Sequence, residues 1–291
     1  APRALVGGDQ LFHYTEVMPE GHVIHRLAHT LNADYRGMPL SVTSPQGRFA
    51  TEAAILDGTE IDHAEAFGKH LFVQFDQTIV HTHLKMEGTW AIHYAGDRWR
   101  KPGHTARIVL QLANAPRDIE VVGHQLGFVE IYPADQYHQR IAHLGPDILD
   151  PDWDREEALR RLNNRPQRAI GAALLDQKVV AGIGNEYRAE ACFLAGVHPA
   201  TPVSEVDTAR ILDISRRIMW ANRTSPVRVT TGVRRAGETT YVFGRNRKRC
   251  RRCGTFITKG ALGGVDAGGD EGELERIIWW CPHCQPLHPA K

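Results

Sequence analysis

The chain has 291 residues, 42% of them apolar, with a formal net charge of +1. That length predicts two domains, or one with appendages, and that apolar content excludes global disorder. No run of 18 apolar residues is present, which excludes a helical membrane span. The first 20 residues also lack the positive-then-apolar pattern of a secretory signal.

In chain order, Ala1–Val17 shows no periodicity. Val23, Ile24, Leu27 and Leu31 recur at helical spacing and predict a helix over 20–32. The period then shortens. His70–Phe75, Thr78–Leu84, Thr89–His93, Ala106–Leu112, Ile119–Val122 and Phe128–Tyr132 are rich in β-branched and aromatic residues and are separated by turn residues. Closely spaced strands of this kind predict a sandwich or barrel. A Pro/Gly seam follows at Leu144-Gly145-Pro146-Asp147 and Asp150-Pro151. Beyond it the texture is helical. Asp154 is an N-cap with Glu156 and Glu157 in the first turn, and helices follow over Ile170–Asp176, Glu186–Leu194 and Ser204–Trp220. From Tyr241 short extended pieces surround the cysteines, and Gly260–Gly272 is expected to be a mobile insert. β texture followed by α texture predicts two lobes with a cleft between them.

Four of the five cysteines form Cys250-x-x-Cys253 and Cys281-x-x-Cys284, separated by 27 residues. Two tight thiolate turns predict one closed, tetrahedral, structural zinc site with no open position for chemistry. Two disulfides or unlinked thiols are the alternatives. Cys192, on an apolar helical face, is expected in a core. The near-neutral charge hides an asymmetry. Residues 201–260 hold fourteen Lys/Arg against four Asp/Glu, and Arg245, Arg247, Lys248, Arg249, Arg251 and Arg252 place six cations in eight residues. Such a run is either a phosphate footprint or a solvated surface stretch; beside a metal knuckle the DNA reading gains.

The segment Gly182-Ile183-Gly184-Asn185-Glu186-Tyr187-Arg188-Ala189-Glu190-Ala191-Cys192-Phe193-Leu194-Ala195-Gly196-Val197-His198-Pro199 resembles the helix–two-turn–helix signature of the formamidopyrimidine-DNA glycosylase/endonuclease VIII family. Glycines before a helix let backbone N–H groups approach phosphate, and helix N-termini favour anions. Leu174-Leu175-Asp176-Gln177-Lys178 fits the same signature. Met18-Pro19-Glu20-Gly21 resembles the family's amino terminus in its endonuclease VIII form, and Phe67-Gly68-Lys69-His70 its essential-lysine loop. His83-Leu84-Lys85-Met86-Glu87-Gly88 resembles its void-filling loop. Leu144–Asp147, Phe243-Gly244-Arg245 and Arg276 resemble its domain seam and the entry and tip of its zinc finger.

The resemblance implies an α+β multidomain fold. An N-terminal β-sandwich with a flanking helix (18–148) precedes a helical domain with the helix–two-turn–helix motif (149–240). A zinc-ribbon hairpin (241–285) and a tail (286–291) follow, with 1–17 an extension that is non-native or removed. It implies a monomeric base-excision-repair DNA glycosylase with AP-lyase (β,δ-elimination) activity on oxidised bases, pyrimidines above all, and on abasic sites. The partner is damaged duplex DNA, the location the bacterial cytoplasm at the nucleoid, and the cofactor one Zn2+ on the four paired cysteines. The implied nucleophile is the Pro19 amine, with Glu20 as acid/base and Lys69 on phosphate near the lesion. Met86 fills the void, and Asn185, Arg245 and Arg276 contact phosphates. Bland alternatives stand beside these: Glu20 as a carboxylate complementing a helix dipole, Lys69 as a turn lysine, Met86 as a core residue, Gly184-Asn185 as a mere cap.

The sequence departs from the pattern in four places. Val23 stands where many relatives have a glutamate, the zinc finger is longer than usual, and His124–Phe128 lacks the arginine–phenylalanine intercalating motif. Ala1–Val17 precedes Met18, so Pro19 is internal as written and its nitrogen is an amide, which is no nucleophile. Two other classes therefore remain open: a non-catalytic lesion- or structure-specific DNA-binding protein of the same fold, and a zinc-ribbon RNA-binding protein.

Overall fold

The computed structural model describes residues 20–85, 87–113, 117–263 and 276–287. Two compact units emerge, 23–142 and, together with Glu20–His22, 143 onward.

The first unit opens with α1 (Gly21–Thr30), β1 (Leu40–Thr43) and α2 (Ala50–Leu56). Seven strands follow: β2 (His63–Phe67), β3 (His70–Phe75), β4 (Thr78–His83), β5 (Thr89–Tyr94), β6 (Ala106–Leu112), β7 (Ile119–His124) and β8 (Phe128–Pro133). They form two antiparallel four-stranded sheets, ordered β1-β6-β7-β5 and β2-β3-β4-β8. Alternation along each strand decides what faces the shared core. Leu71, Val73 and Phe75 of β3 enter it with Ile108, Leu110 and Leu112 of β6, Ile24 and Leu27 of α1, and Leu56 of α2. The intervening Phe72 packs outward with Ile79 and Tyr132. The predicted strands are all present, at bounds within two residues. The sequence reading missed β1, β2 and α2.

The second unit contains α3 to α7 with the exception of the short α3 (Tyr137–Ile141), which belongs to the first. Its helices are α4 (Arg155–Asn163), α5 (Ile170–Leu175), α6 (Asn185–Ala195) and α7 (Thr208–Asn222). Asp154 caps α4 as expected, its carboxylate accepting the Glu157 N–H at 2.9 Å. The helix expected from Ser204 starts later. Asp207 accepts the Arg210 N–H at 3.0 Å and so fixes the first turn of α7. The antiparallel hairpin β9 (Thr258–Leu262) and β10 (Arg276–Trp280) completes the unit. Gly260–Leu262 lies on β9, which corrects the expectation of an insert from Gly260; 264–272 falls outside the described residues. Cys192 is fully buried among Ile183, Tyr187 and Leu212, as expected of a core residue. No described helix is long and apolar enough to cross a membrane.

Helix α6 is the hub of this unit. One side packs into the helical core, while Ala189 and Phe193 pack with Val242, Ile257 and Ile278 of the hairpin region. Three buried titratable side chains tie it down. Arg188 donates to Asn185 Oδ1 at 2.8 Å, Gly171 O at 3.1 Å and Ile277 O at 3.4 Å. Glu190 accepts the N–H groups of Tyr241, Val242 and Phe243 at 2.8–2.9 Å and the Thr230 hydroxyl. The third, Glu186, belongs to the site below. Glu190→Ala should strand three N–H groups and destabilise the protein by roughly 3 kcal/mol or more; urea unfolding measures this, and Glu190→Gln should recover part of the loss.

Candidate active site and nucleic-acid interface

The approach to α6 is built from glycines. Gly182 adopts φ +105°, a conformation side chains resist, and its carbonyl accepts the Gly21 N–H at 2.9 Å. Gln177 holds the turn, accepting from Gly182 N at 3.0 Å and donating to Ile183 O at 2.9 Å. Gly184 is the N-cap and offers no side chain to the exposed helix N–H groups. The carboxylate of Glu20 takes that role. Its Oε1 accepts the Glu186 N–H at 2.7 Å, and Glu20 is fully buried. A Cβ at Gly184 would lie 2.5 Å from Glu20 Cδ, so only glycine permits this approach. The positive end of the helix dipole stabilises the carboxylate there. Glu20 thus occupies a dipole-complementing position, at the start of α6.

Behind Glu20 lies Glu186, with Oε2 ion-paired to Arg228. Burial pushes its carboxyl from the ordinary 4.5 up to about 8; the Arg228 charge opposes this, and the carboxylates of Glu20 and Glu190 add to it. Burial likewise pushes the Tyr187 phenol up, and His22 stands edge-on to that ring at 5.2 Å. The sequence reading missed Glu186 and Arg228. A carboxylate in a first helical turn reads as ordinary dipole complement, and nothing in the intervening sequence marks Arg228 as its partner.

Asn185, the first residue of α6, donates its amide to Ile277 O at 2.8 Å and accepts from Arg188. The motif asparagine thus joins α6 to β10. Arg245 is mostly buried and donates to Tyr241 O at 2.6 Å and Arg249 O at 2.9 Å. Arg276 opens β10 and is half-buried. Lys69 belongs to the first unit, half-buried in the Phe67–His70 turn where Gly68 has φ +58°. In that unit His83, also missed, accepts the Lys85 N–H on Nδ1 at 2.9 Å. Burial, then Lys85 and Lys69, pushes His83 down to about 4, so its ring is neutral at physiological pH. Pro19 and Met86 lie outside the described residues.

The four paired cysteines carry no disulfide, and their Sγ atoms all lie within 4.8 Å of one another. Cys253–Cys281 is 3.5 Å and Cys250–Cys284 3.9 Å. A tetrahedral ion with bonds of about 2.3 Å to sulfur needs edges of about 3.8 Å, so this cluster can hold a metal ion. The Arg252 and Cys284 N–H groups donate to Cys250 and Cys281 Sγ, each at 3.4 Å.

These features place the chain among known proteins. The N-terminal domain model of formamidopyrimidine-DNA glycosylase matches residues 18–129, and the H2TH domain model of the same glycosylase matches 144–230. The chain belongs to the formamidopyrimidine-DNA glycosylase family. Within it, the chain is 41% identical over 272 residues to "Endonuclease 8 2" of Mycobacterium tuberculosis, covering 92% of this chain and all of the relative. It is 39% identical to "DNA-(apurinic or apyrimidinic site) lyase Nei2" of Mycolicibacterium smegmatis, covering 92% and 99%. Identity to the formamidopyrimidine-DNA glycosylase of Oceanobacillus iheyensis is 29%, over 80% and 82% of the two chains. The fold matches that of Lactococcus lactis Fpg, solved with an abasic site containing DNA, at TM-score 0.71 and 23% identity, covering 92% of this chain and 100% of that one.

Gly184→Ala should drive a methyl into Glu20 and dislodge it, lowering stability by roughly 1–3 kcal/mol, measured by thermal unfolding. The raised Glu186 carboxyl has a pH signature. Its contribution to stability is complete below about pH 4.5 and is lost as pH rises through about 8. Glu186→Gln should flatten that decline in unfolding experiments run across the window.

Proposed function

We propose that this chain is a base-excision-repair DNA glycosylase with AP-lyase activity that works through the Pro19 amine. The observation that carries the reading is the buried Glu20 carboxylate at the N-terminus of α6, immediately after Pro19 in the sequence. The family and the relatives' names support it.

The chemistry follows from a secondary amine. Its nitrogen attacks C1′ of the damaged nucleotide, the base departs, and an iminium forms whose fixed positive charge acidifies the C2′ protons. Elimination on the 3′ side, then the 5′ side, breaks the strand. An α-amine titrates at roughly 7.7–8.0, so a neutral fraction is present at physiological pH. Glu20 moves protons during ring opening and elimination. The base is extruded from the duplex to expose C1′, at a cost that is smaller for damaged bases; Met86 fills the gap. Lys69 binds phosphate near the lesion. Oxidised pyrimidines and abasic sites are the substrates, and the protein acts as a monomer at the bacterial nucleoid. Residues 18–148, 149–240 and 241–285 serve as catalytic, helix–two-turn–helix and zinc-finger domains.

One zinc ion on Cys250, Cys253, Cys281 and Cys284 would hold the hairpin in shape. With four thiolates it keeps no position for substrate. Metal analysis of protein prepared in reducing buffer should give one zinc per chain, and Cys250→Ser should weaken DNA binding while residues 23–142 stay folded.

The nucleophile is tested with two lengths. A form starting at Pro19 should cleave an abasic duplex and trap with borohydride at that residue, and Pro19→Gly and Glu20→Gln should impair it. The 291-residue form, confirmed intact by mass spectrometry, should show only a trace. Equal trapping by both forms would point to a lysine such as Lys69. For the phosphate contacts Asn185, Arg245 and Arg276, each Ala variant should flatten the salt dependence of binding by about one unit of slope. Weaker binding with an unchanged slope would assign that residue to the scaffold.

A further inference from the structure

We propose that Lys101 is a positioning residue: it fastens the loop between β4 and β5 to the turn between β7 and β8, and so sets this edge of the sandwich unit before DNA arrives. The inference rests on the gap-filling role proposed for the β4–β5 loop and deepens it.

Both connections hold backbone that side chains resist. Among the described residues four non-glycines have positive φ, and two of them stand here, Lys85 at +56° and Gln125 at +49°. Such conformations persist where the surroundings over-determine them. In the β4–β5 loop the Gly88 N–H donates to Leu84 O at 2.9 Å, and the Lys85 N–H to His83 Nδ1 at 2.9 Å. In the β7–β8 turn the Gln125 N–H donates to Thr105 O at 2.9 Å. The two connections then meet. The Lys85 stem lies against Gly127, where a Cβ would stand 2.1 Å from Lys85 Cγ. Lys101 completes the join, donating from Nζ to Glu87 O at 3.1 Å and to Gln125 Oε1 at 2.8 Å.

Lys101 can act as a fixed point because the β5–β6 connection that carries it is itself anchored. Trp99 packs against Ala106, Val109 and Val122 and donates its indole N–H to Glu120 Oε2 at 2.8 Å. The Thr105 N–H and hydroxyl both donate to Pro102 O, at 3.0 and 2.7 Å. Burial lowers the Lys101 amine from the ordinary lysine value, and the Glu87 charge opposes this. An ammonium has three donors, and two of these are spent on protein oxygens, which favours a supporting role over a phosphate contact. A loop already ordered in the free protein loses less entropy when a duplex closes on it. The fastening therefore favours the opened state of the duplex over the stacked one.

The first test is amide hydrogen exchange in the full chain without DNA. Lys101→Met keeps most of the stem and removes the donors. It should speed exchange of the Gly88 and Gln125 amides together, by about five-fold or more, and Lys101→Arg should restore part of the protection. Unchanged exchange at both amides overturns the proposal. The second test follows the fluorescence of 2-aminopurine beside an abasic site, in stopped flow, with the form starting at Pro19. Unstacking should be slower in Lys101→Met by about three-fold or more, while the salt dependence of binding to undamaged duplex keeps its slope. A slope lower by about one, with exchange unchanged, makes Lys101 a phosphate contact and overturns the proposal. Faster exchange with an unaltered fluorescence rate overturns the positioning role. Absence of any fluorescence change with the unsubstituted Pro19 form overturns the gap-filling reading instead, while the exchange rates still decide on the fastening.

Discussion

The second unit depends on a carboxylate placed where a helix begins without a capping side chain. Gly184 leaves the first N–H groups of α6 exposed, and Glu20 supplies the acceptor. Desolvating a carboxylate is costly; the helix dipole and the short bond to Glu186 N offset that cost at this one point. The same geometry holds this carboxylate still.

Helix α6 then distributes the constraint. Its first residue ties to β10 through Asn185, its second to the Arg228 loop through Glu186, and its sixth to Tyr241–Phe243 through Glu190. Two of these attachments are hydrogen bonds with backbone groups and one is a buried ion pair, and removing a buried partner is costly where a surface salt bridge is worth little. The hairpin is fixed at its other end by the four thiols. Positively charged side chains nearby divide into two kinds: Arg188 and Arg245 are spent on carbonyl oxygens, while most of the Arg247–Arg252 run stays exposed.

Much of this was legible in the sequence, for physical reasons. Strands such as His70–Phe75 alternate strictly between two apolar environments, and Asp154 announces its helix by the bond it makes. The cysteine pairs were legible because ligand spacing is local. β2 was not, since His63-Ala64-Glu65-Ala66-Phe67 carries few strand-forming residues and owes its shape to pairing with β3. The Ser204 helix start failed because Asp207, three residues on, makes the capping bond instead. In the site, Glu20 and Asn185 stood out through motif resemblance, but their partners did not: Arg228 and Ile277 meet α6 only in three dimensions. Arg245 was read as a cation for phosphate, and its bonds to the Tyr241 and Arg249 carbonyls become visible only in three dimensions.

The bond from Asn185 to Ile277 has a consequence for how the protein is made. Glu20 is synthesised before α6, and the hairpin after it. Until Ile277 has been synthesised, Asn185 and Arg188 lack their acceptor, and the helix that receives Glu20 is incompletely fastened. A nascent chain stalled before the hairpin would display the sandwich unit but not a finished site. The order of synthesis thus delays the fastening of α6 until the hairpin has been made.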